Sequence, residues 1–193
     1  LGVYSAAYDP AKHTELLSAV KRNSPCISYH KALGDFSRST FSIGISGVHG
    51  KTTTTALAGT LCKEANLPVS VLAGSAVANF NDRSTCVIGQ EAFIAETCEY
   101  RRHFLSFYPQ VIVITSIDAD HLDYFDGYED ILHAFVEYGL RVPDGGTIIF
   151  CADDPGAAAA VAQIKSQNKY VKTIPYGVQA KGDYGIISES VEI

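Results

Sequence analysis

The segment GVHGKTTTT, residues 47–55, places a lysine and a run of hydroxyl side chains directly after two glycines. Glycines followed by the free N–H groups at the start of a helix form a site for phosphate. In such a loop Lys51 would neutralise the outer phosphates of a nucleotide, and the Thr52 hydroxyl would ligate Mg²⁺. Thr53 would add a further hydrogen-bond donor. These residue types in this order therefore predict binding of a nucleotide with Mg²⁺.

The spacing of the glycines departs from the general phosphate-loop pattern G-x-x-x-x-G-K-[ST]. That pattern requires a glycine at position 45, where this chain has Ile45; its glycines are Gly44, Gly47 and Gly50. A predicted strand, 41–46, precedes the loop and a predicted helix follows it, which is the context that a phosphate loop needs. We therefore predict a shorter loop of the same kind. Its nucleotide-binding residues are Gly47, Val48, His49, Gly50, Lys51, Thr52 and Thr53.

The segment AETCEYRRHFL, residues 95–105, carries two carboxylates three residues apart at the end of a predicted strand. If the chain turns there as a helix, Glu96 and Glu99 face one site, and carboxylates near a phosphate loop suit a hard cation. The alternative is a solvated surface pair. The basic run RRH, residues 101–103, is interpreted as a solvated face.

A second polar cluster follows the most apolar predicted strand, 110–117. It consists of Asp118, Asp120, His121 and Asp123, at the edge of the sheet where α/β proteins bind their ligands. A lone histidine after a strand is more often structural, but the neighbouring carboxylates favour a metal ligand. His121 would bind the metal, and Asp120 would orient its ring.

Strand and helix patterns alternate from residue 41 onward. The predicted strands are 41–46, 69–74, 91–96, 110–117, 146–152 and 170–177, and the predicted helices are 51–66, 127–142 and 153–167. This alternation predicts an α/β fold, with a parallel sheet covered by helices on both faces.

Residues 1–40 have a different pattern. Leu16, Leu17 and Val20 share one face of a predicted amphipathic helix, and a short strand and a further helix follow. We expect a domain boundary near residues 37–40. The tail, 177–193, alternates weakly and predicts a hairpin strand.

Composition excludes several classes of protein. The net charge is −6 and the 15 Lys and Arg residues are scattered, so nucleic acid is not an expected partner. No apolar run approaches the roughly 18 residues of a membrane span, and the start shows no signal peptide, so no membrane partner is expected. The five cysteines include no C-x-x-C pair, which argues against a disulfide framework or zinc site and favours a reducing cytoplasm. A chain that lacks methionine and begins LGVYSAAY is expected to be a piece of a longer protein, or a processed one.

Three segments together resemble the Mur ligases, ATP-dependent enzymes that form amide bonds in peptidoglycan synthesis. GVHGKTTTT is similar to the family loop G-T-x-G-K-T-[ST], with Val48 in place of threonine. AETCEYRRHFL is similar to A-E-x-x-E-x-x-x-x-F-L. ITSIDADHLDYF, residues 114–125, is similar to T-N-I-x-x-D-H-x-D-x-[YF], with Ser116 in place of asparagine.

The resemblance implies site residues and cofactors. ATP and Mg²⁺ are the implied cofactors, Lys51, Glu96 and His121 the implied catalytic residues, and Thr52, Glu96 and His121 the implied ligands of two Mg²⁺ ions. Its implied chemistry is phosphorylation of a carboxylate to an acyl phosphate, which an amine then attacks. His49 resembles both the branch that joins L-alanine to UDP-N-acetylmuramate and the related tripeptide ligases. The short spacing from Glu99 to the sequence SFYP favours the alanine-adding branch.

The resemblance also implies a domain organisation. Residues 1–40 would end a Rossmann-like, UDP-substrate domain, and 41–193 would form an incomplete central ATP-binding domain of the P-loop NTPase type. The C-terminal domain that binds the amino acid would be absent, so this piece alone is expected to bind nucleotide without turnover.

Other functions remain open from the sequence. The nearest are a murein tripeptide ligase, which has the same chemistry, and an enzyme like folylpolyglutamate synthase, which shares the loop. A nucleotide-binding regulatory module or a P-loop kinase belongs to a different class, and the spacing of Gly47 and Gly50 disfavours ordinary kinases. The oligomeric state does not follow from the sequence.

Overall fold

The computed structural model describes residues 2–5, 7–9, 11–182 and 184–185. Its larger part is a seven-stranded sheet with helices on both faces. The strands are β3 (Phe41–Ser46), β4 (Val69–Val77), β5 (Arg83–Val87), β6 (Ala92–Glu96), β7 (Val111–Ile114), β8 (Thr147–Cys151) and β9 (Lys172–Tyr176). The helices are α3 (Lys51–Glu64), α4 (Tyr128–Gly139) and α5 (Pro155–Gln167), with 3₁₀ turns at Ala78–Phe80 and Tyr100–Ser106.

The strand order in the sheet is β5-β4-β6-β3-β7-β8-β9. All neighbours from β4 to β9 run parallel, which confirms the predicted parallel sheet. The edge strand β5 is antiparallel to β4 and was not predicted. It is only five residues long and half-buried on one face, so its sequence RSTCV has little of the apolar character of the central strands. β4 also extends beyond the predicted 69–74, because it continues far enough to pair with β5.

Both faces of the sheet are packed, as predicted. On β6, Phe93 and Ala95 join the cluster under α4 and α5, whereas Ile94 between them joins the cluster under α3. Alternate residues of a strand point to opposite faces, so each face has its own core. The predicted apolar face of α4 is buried, except that Leu140 lies just beyond the end of the helix and is 37% exposed.

Helix α5 begins where a capping residue satisfies its free N–H groups. The Asp154 carboxylate accepts a hydrogen bond from Ala157 N at 2.7 Å, and Pro155 occupies the first turn. The same carboxylate accepts a hydrogen bond from Ile117 N at 3.1 Å. Asp154 therefore ties the start of α5 to the chain that follows β7.

The N-terminal segment contains β1 (Gly2–Tyr4), α1 (Thr14–Lys21), β2 (Cys26–Ser28) and α2 (Tyr29–Ser37), and β1 pairs with β2 in parallel. These match the predicted elements, although no residue of α1 is buried. Helix α2 packs on the larger part of the structure: Phe36 meets Phe93 edge to face, with ring centroids 4.9 Å apart. The domain boundary near residues 37–40 stays a prediction.

Most of the predicted hairpin in the tail lies outside the described residues. Within them, Gly177 forms an isolated bridge with Gly185. The five cysteines are free. No helix in the part of the chain that the structure describes is long and apolar enough to cross a membrane.

Candidate active site

The loop between β3 and α3 is fastened to the end of β7. Val48 N donates to Ser116 O at 2.9 Å, and His49 N donates to the Ser116 hydroxyl at 3.0 Å. The Thr115 hydroxyl donates to His49 O at 2.5 Å. Ser116, which stands where the family pattern has asparagine, thus orients the loop through both its backbone and its side chain.

The first glycine of the loop is required by both conformation and space. Gly47 has a φ of 138°, and a Cβ at this position would run into the Thr115 hydroxyl. Gly50, with a φ of 81°, directly precedes α3. These are left-handed conformations that side chains disfavour, so the shorter spacing still produces a glycine-dependent loop.

Lys51 begins α3 and bends back over the loop. Its ammonium donates to Gly47 O at 2.5 Å and to Val48 O at 3.1 Å. It also lies 3.1 Å from both carboxylate oxygens of Glu99. The side chain is 13% exposed, so a charged group is held at the mouth of the loop with three acceptors around it.

Thr52 and Glu96 form the second pair at this edge of the sheet. The Thr52 hydroxyl donates to Glu96 Oε2 at 2.8 Å, and Gly74 N donates to the same oxygen at 2.7 Å. A Cβ on Gly74 would lie 2.5 Å from both carboxylate oxygens, so the close approach of β4 depends on the glycine. A hydroxyl and a carboxylate oxygen side by side are the ligand types that Mg²⁺ prefers.

Glu99 is the most buried charged residue of the site, with 1% of its surface exposed. It lies between Lys51 and His121, whose Nε2 is 3.4 Å from Glu99 Oε1. Glu99 Oε2 accepts no aligned hydrogen bond, although the Lys51 ammonium is within 3.1 Å of it. The sequence placed Glu99 beside Glu96 but gave no sign of its contact with Lys51, which is 48 residues away.

His121 is held by its backbone and by an aromatic neighbour. It has a φ of 52°, and its ring centroid is 4.8 Å from that of Tyr100. The Asp120 carboxylate accepts a hydrogen bond from His121 N at 2.7 Å and lies 4.0 Å from Nδ1. The Asp120 carboxylate thus fixes the backbone of the turn, and its role in orienting the ring stays a prediction.

The other members of the predicted acidic cluster have separate roles. Asp118 is exposed and accepts a hydrogen bond from the adjacent Ala119 N at 2.7 Å. Asp123 accepts one from the Tyr100 hydroxyl at 2.9 Å. These carboxylates shape the turn after β7 and do not converge with His121 on one point.

The predicted metal ligands are brought into two groups rather than one. Thr52 contacts Glu96, whereas His121 contacts Glu99, and no hydrogen bond or ion pair joins Glu96 to His121 within the described ranges. Among those same residues, no three His, Cys, Asp or Glu side chains are arranged to hold a metal ion. The Thr52 hydroxyl and the Glu96 carboxylate are nevertheless the oxygen ligands that suit a hard cation. The metal-binding role of Glu96 and His121 stays a prediction.

A cleft of about 460 Å³ opens beside Glu96, between α2, β4, β6 and the turn 100–106. On its wall His30 of α2 stacks on His103, with ring centroids 3.6 Å apart and the planes 10° apart. Burial, with a smaller contribution from His103, lowers the pKa of His30 to about 4. Burial, with a smaller contribution from Arg101, lowers the pKa of His103. The sequence did not predict this cleft, because α2 and the turn are far apart along the chain.

The basic run 101–103 is not simply a solvated face. Arg102 forms ion pairs with Asp130 at 2.6 Å and with Glu137 at 2.9 Å, and these anchor the turn to α4.

Cys98, close to this turn in the sequence, also faces the cleft. Burial, and then the Glu99 carboxylate, raises the pKa of its thiol, in keeping with a structural cysteine.

Known proteins that are similar to this chain in sequence are Mur ligases. The sequence pattern of the Mur ligase middle domain matches residues 45–191. A UDP-N-acetylmuramate–L-alanine ligase from Treponema pallidum (strain Nichols) is 48% identical over 190 residues, which are 98% of this chain and 40% of that protein. The chain thus spans about 40% of the length of this relative.

Two solved structures show the same fold at low sequence identity. One is a UDP-N-acetylmuramate:L-alanyl-gamma-D-glutamyl-meso-diaminopimelate ligase from Neisseria meningitides, with a TM-score of 0.71 and 19% identity over 90% of this chain and 58% of that one. The other is a UDP-N-acetylmuramate-alanine ligase from Thermotoga maritima, with a TM-score of 0.69 and 20% identity over 82% of this chain and 36% of that one. Both are similar to this chain in fold.

Proposed function

This chain belongs to the Mur ligase family, and from that premise we propose that it is the nucleotide-binding part of a ligase that joins L-alanine to UDP-N-acetylmuramate. The proposal is supported by the relative from Treponema pallidum, which carries that name and aligns with almost the whole chain. The observation that carries it is the hydrogen bond of 2.8 Å between Thr52 and Glu96 beside the ammonium of Lys51. A phosphate-binding loop and a carboxylate for a hard cation thus meet at one edge of the sheet.

The loop from Gly47 to Thr53 binds the phosphates of ATP in this proposal. The left-handed glycines let the backbone approach closely, and Lys51 supplies a positive charge. Ser116 and Thr115 fix the loop to β7 and take up the N–H groups of Val48 and His49, so the N–H groups that bind phosphate in this proposal are those at the start of α3.

Thr52, Glu96 and His121 hold Mg²⁺ in the same proposal. ATP with Mg²⁺ supplies the phosphoryl group that turns a carboxylate oxygen into a leaving group, and the positive charge that reduces repulsion between the two anions. The protein positions the groups: β6 carries Glu96, and the turn after β7 carries His121. Gly74 N holds the Glu96 carboxylate towards the loop.

The cleft beside Glu96 receives the acid end of UDP-N-acetylmuramate. Glu96, at the end of β6, lines the cleft, and the phosphate loop follows the neighbouring strand β3. An acid bound in the cleft therefore lies near the nucleotide. With lowered pKa values, His30 and His103 are neutral near pH 7 and line the cleft without charge. We also propose that the full-length protein acts in the cytoplasm, without a nucleic-acid or membrane partner.

An acceptor assay with the full-length protein tests this function. ATP, Mg²⁺ and UDP-N-acetylmuramate are supplied with either L-alanine or the tripeptide L-alanyl-γ-D-glutamyl-meso-diaminopimelate, and the products are identified by mass spectrometry. We expect one ADP for each alanine adduct and no tripeptide adduct. Formation of the tripeptide adduct alone would assign the protein to the tripeptide branch, and ATP hydrolysis without either adduct would reject amide ligation.

Two lysines of helix α3 provide the variant and its control. Lys51→Ala removes the charge at the loop and should abolish product formation. Lys63→Ala removes an exposed side chain of the same helix, which donates to Asn79 O in the turn Ala78–Phe80, and should leave product formation near the level of the unmodified protein.

A further inference from the structure

Glu99 is a buried charge with no part in the function as proposed so far. It is 1% exposed, and its contacts are the ammonium of Lys51 at 3.1 Å and Nε2 of His121 at 3.4 Å. Its Oε2 accepts no aligned hydrogen bond. Burying a carboxylate in this way is costly unless a nearby cation compensates it, and Lys51 is the cation within reach.

The contact with Glu99 sets the position of Lys51. The lysine side chain leaves the first turn of α3 and bends back, so that its ammonium touches Gly47 O, Val48 O and Glu99 together. The two loop carbonyls are neutral acceptors, whereas Glu99 is charged. The charged partner makes the stronger bond and therefore decides where the ammonium lies.

The balance of charge bears on which form of nucleotide can enter. Two carboxylates, Glu96 and Glu99, oppose the single ammonium of Lys51 at this edge of the sheet. A nucleotide without metal would bring further negative charge to a lysine that is already neutralised. A nucleotide with Mg²⁺ brings part of its own compensation.

We propose that Glu99 is a positioning residue for Lys51, which holds the ammonium on the loop in the free protein and so makes the site select metal-bound over metal-free nucleotide. This inference rests on the proposed nucleotide function. While Glu99 neutralises the ammonium, the carboxylates repel a fully charged nucleotide, and a nucleotide whose charge is partly neutralised by Mg²⁺ meets less repulsion. Glu99 thus acts through Lys51 rather than as a metal ligand.

A double-mutant cycle on nucleotide binding tests the proposal. The dissociation constant of ADP is measured by calorimetry in EDTA and in Mg²⁺ for the unmodified protein, Glu99→Gln, Lys51→Ala and the double variant. Glutamine keeps the size of the side chain and removes its charge. We expect Glu99→Gln to tighten binding of metal-free ADP about tenfold or more, since the Lys51 ammonium is then no longer neutralised by Glu99 and can bind the phosphates. Binding of Mg²⁺-ADP should change less than about threefold.

The cycle separates action through Lys51 from a general charge effect. In the Lys51→Ala background, Glu99→Gln should change the affinity for metal-free ADP by less than about threefold. A gain of the same size in both backgrounds would overturn the proposal, as would unchanged or weaker binding of metal-free ADP to Glu99→Gln. Loss of Mg²⁺-dependent binding in Glu99→Gln would overturn it by making Glu99 a metal ligand.

A measurement on the unmodified protein remains decisive if Glu99→Gln does not fold. The ammonium resonance of Lys51, observed by ¹⁵N NMR, should be sharp in the free protein, because the group is largely buried and bonded to Glu99. It should shift when Mg²⁺-ADP is added and stay in place with ADP in EDTA at the same concentration. An equal shift with both ligands would contradict selection by Glu99. If neither nucleotide binds to the unmodified protein, the proposed function itself fails.

Discussion

At the scale of single residues, Gly74 determines how Glu96 is presented. Its N–H donates to Glu96 Oε2, and no side chain stands between β4 and the carboxylate. Gly74 has an ordinary strand conformation, so alanine is compatible with its backbone. A Cβ would, however, lie 2.5 Å from both carboxylate oxygens of Glu96.

We therefore expect Gly74→Ala to leave the fold intact and to displace the Glu96 side chain. The concentration of Mg²⁺ that half-saturates nucleotide binding should rise about tenfold, since one carboxylate ligand is moved out of place. The measurement is a Mg²⁺ titration at fixed ADP, followed by calorimetry. The matched control is Ser75→Ala, on the exposed neighbour in the same strand. An unchanged Mg²⁺ requirement in Gly74→Ala would argue against a metal role for Glu96.

The sequence predicted the loop residues and the acidic positions but not how they pair. Gly47, Lys51 and Thr52 are adjacent in sequence, so their types and spacing carry the signal of a phosphate loop. The contact of Lys51 with Glu99 spans 48 residues and depends on where β3 and β6 lie in the sheet. No local pattern encodes such a pairing. For this reason the sequence predicts Glu96 beside His121 and does not predict the contacts of Glu99 with Lys51 and His121.

At the scale of elements, the packing of α2 on the turn 100–106 creates the wall of the cleft. Gly34 of α2 faces the carbonyl of Ser106, where a Cβ would collide with the oxygen. His30 stacks on His103 at the same contact. Protonation of these two rings, whose centroids are 3.6 Å apart, would place like charges together in a half-buried site, so the contact is expected to weaken in acid.

The pH dependence of stability follows from the pKa of His30. Burial first, and His103 second, lower this pKa from 6.5 to about 4 in the folded protein. Between these two values the unfolded chain binds more protons, so the free energy of unfolding falls as the pH falls and levels off below about 4. The lowered pKa of His103 acts in the same direction.

Urea unfolding between pH 7 and pH 4 should therefore show a loss due to His30 on the order of 1 kcal/mol, after allowance for its partial exposure to solvent. His30→Gln should flatten the profile, because a neutral side chain then replaces one that resists protonation. His133→Gln, on an exposed face of α4, should leave the profile unchanged. A profile of His30→Gln that superimposes on that of the unmodified protein would contradict this account of the stack.

Elements were predictable where a strand or helix shows its own periodicity. The buried strands β3, β6 and β7 and the amphipathic helix α4 lie close to their predicted positions. The edge strand β5 was missed because it is short and buried on one face, and its pairing with β4 is what stabilises it. Intrinsic helix propensity does not predict the start of α3, where four threonines lie in the first turns of the helix.

At the scale of the whole molecule, the sheet order brings the ends of β3, β6 and β7 next to one another. The loop, the carboxylates and His121 all follow the carboxyl ends of these strands, which is where α/β proteins bind ligands. The resemblance of three short motifs to the Mur ligases is confirmed by the match of residues 45–191 to the middle domain of that family. Assembly of the site thus depends on the order of the central strands as much as on the motifs.

Calorimetric titration of this chain with ADP, in the presence and absence of Mg²⁺, shows whether the loop and Glu96 bind nucleotide together with Mg²⁺. We expect one nucleotide per chain, bound at least about tenfold more tightly with Mg²⁺, and loss of that difference in Thr52→Val, which removes the hydroxyl ligand but keeps the shape. Ser39→Ala, whose hydroxyl bonds Phe36 O away from the loop, serves as the control. An affinity for ADP that depends on neither Mg²⁺ nor the Thr52 hydroxyl would contradict the proposal that this edge of the sheet is a magnesium-nucleotide site.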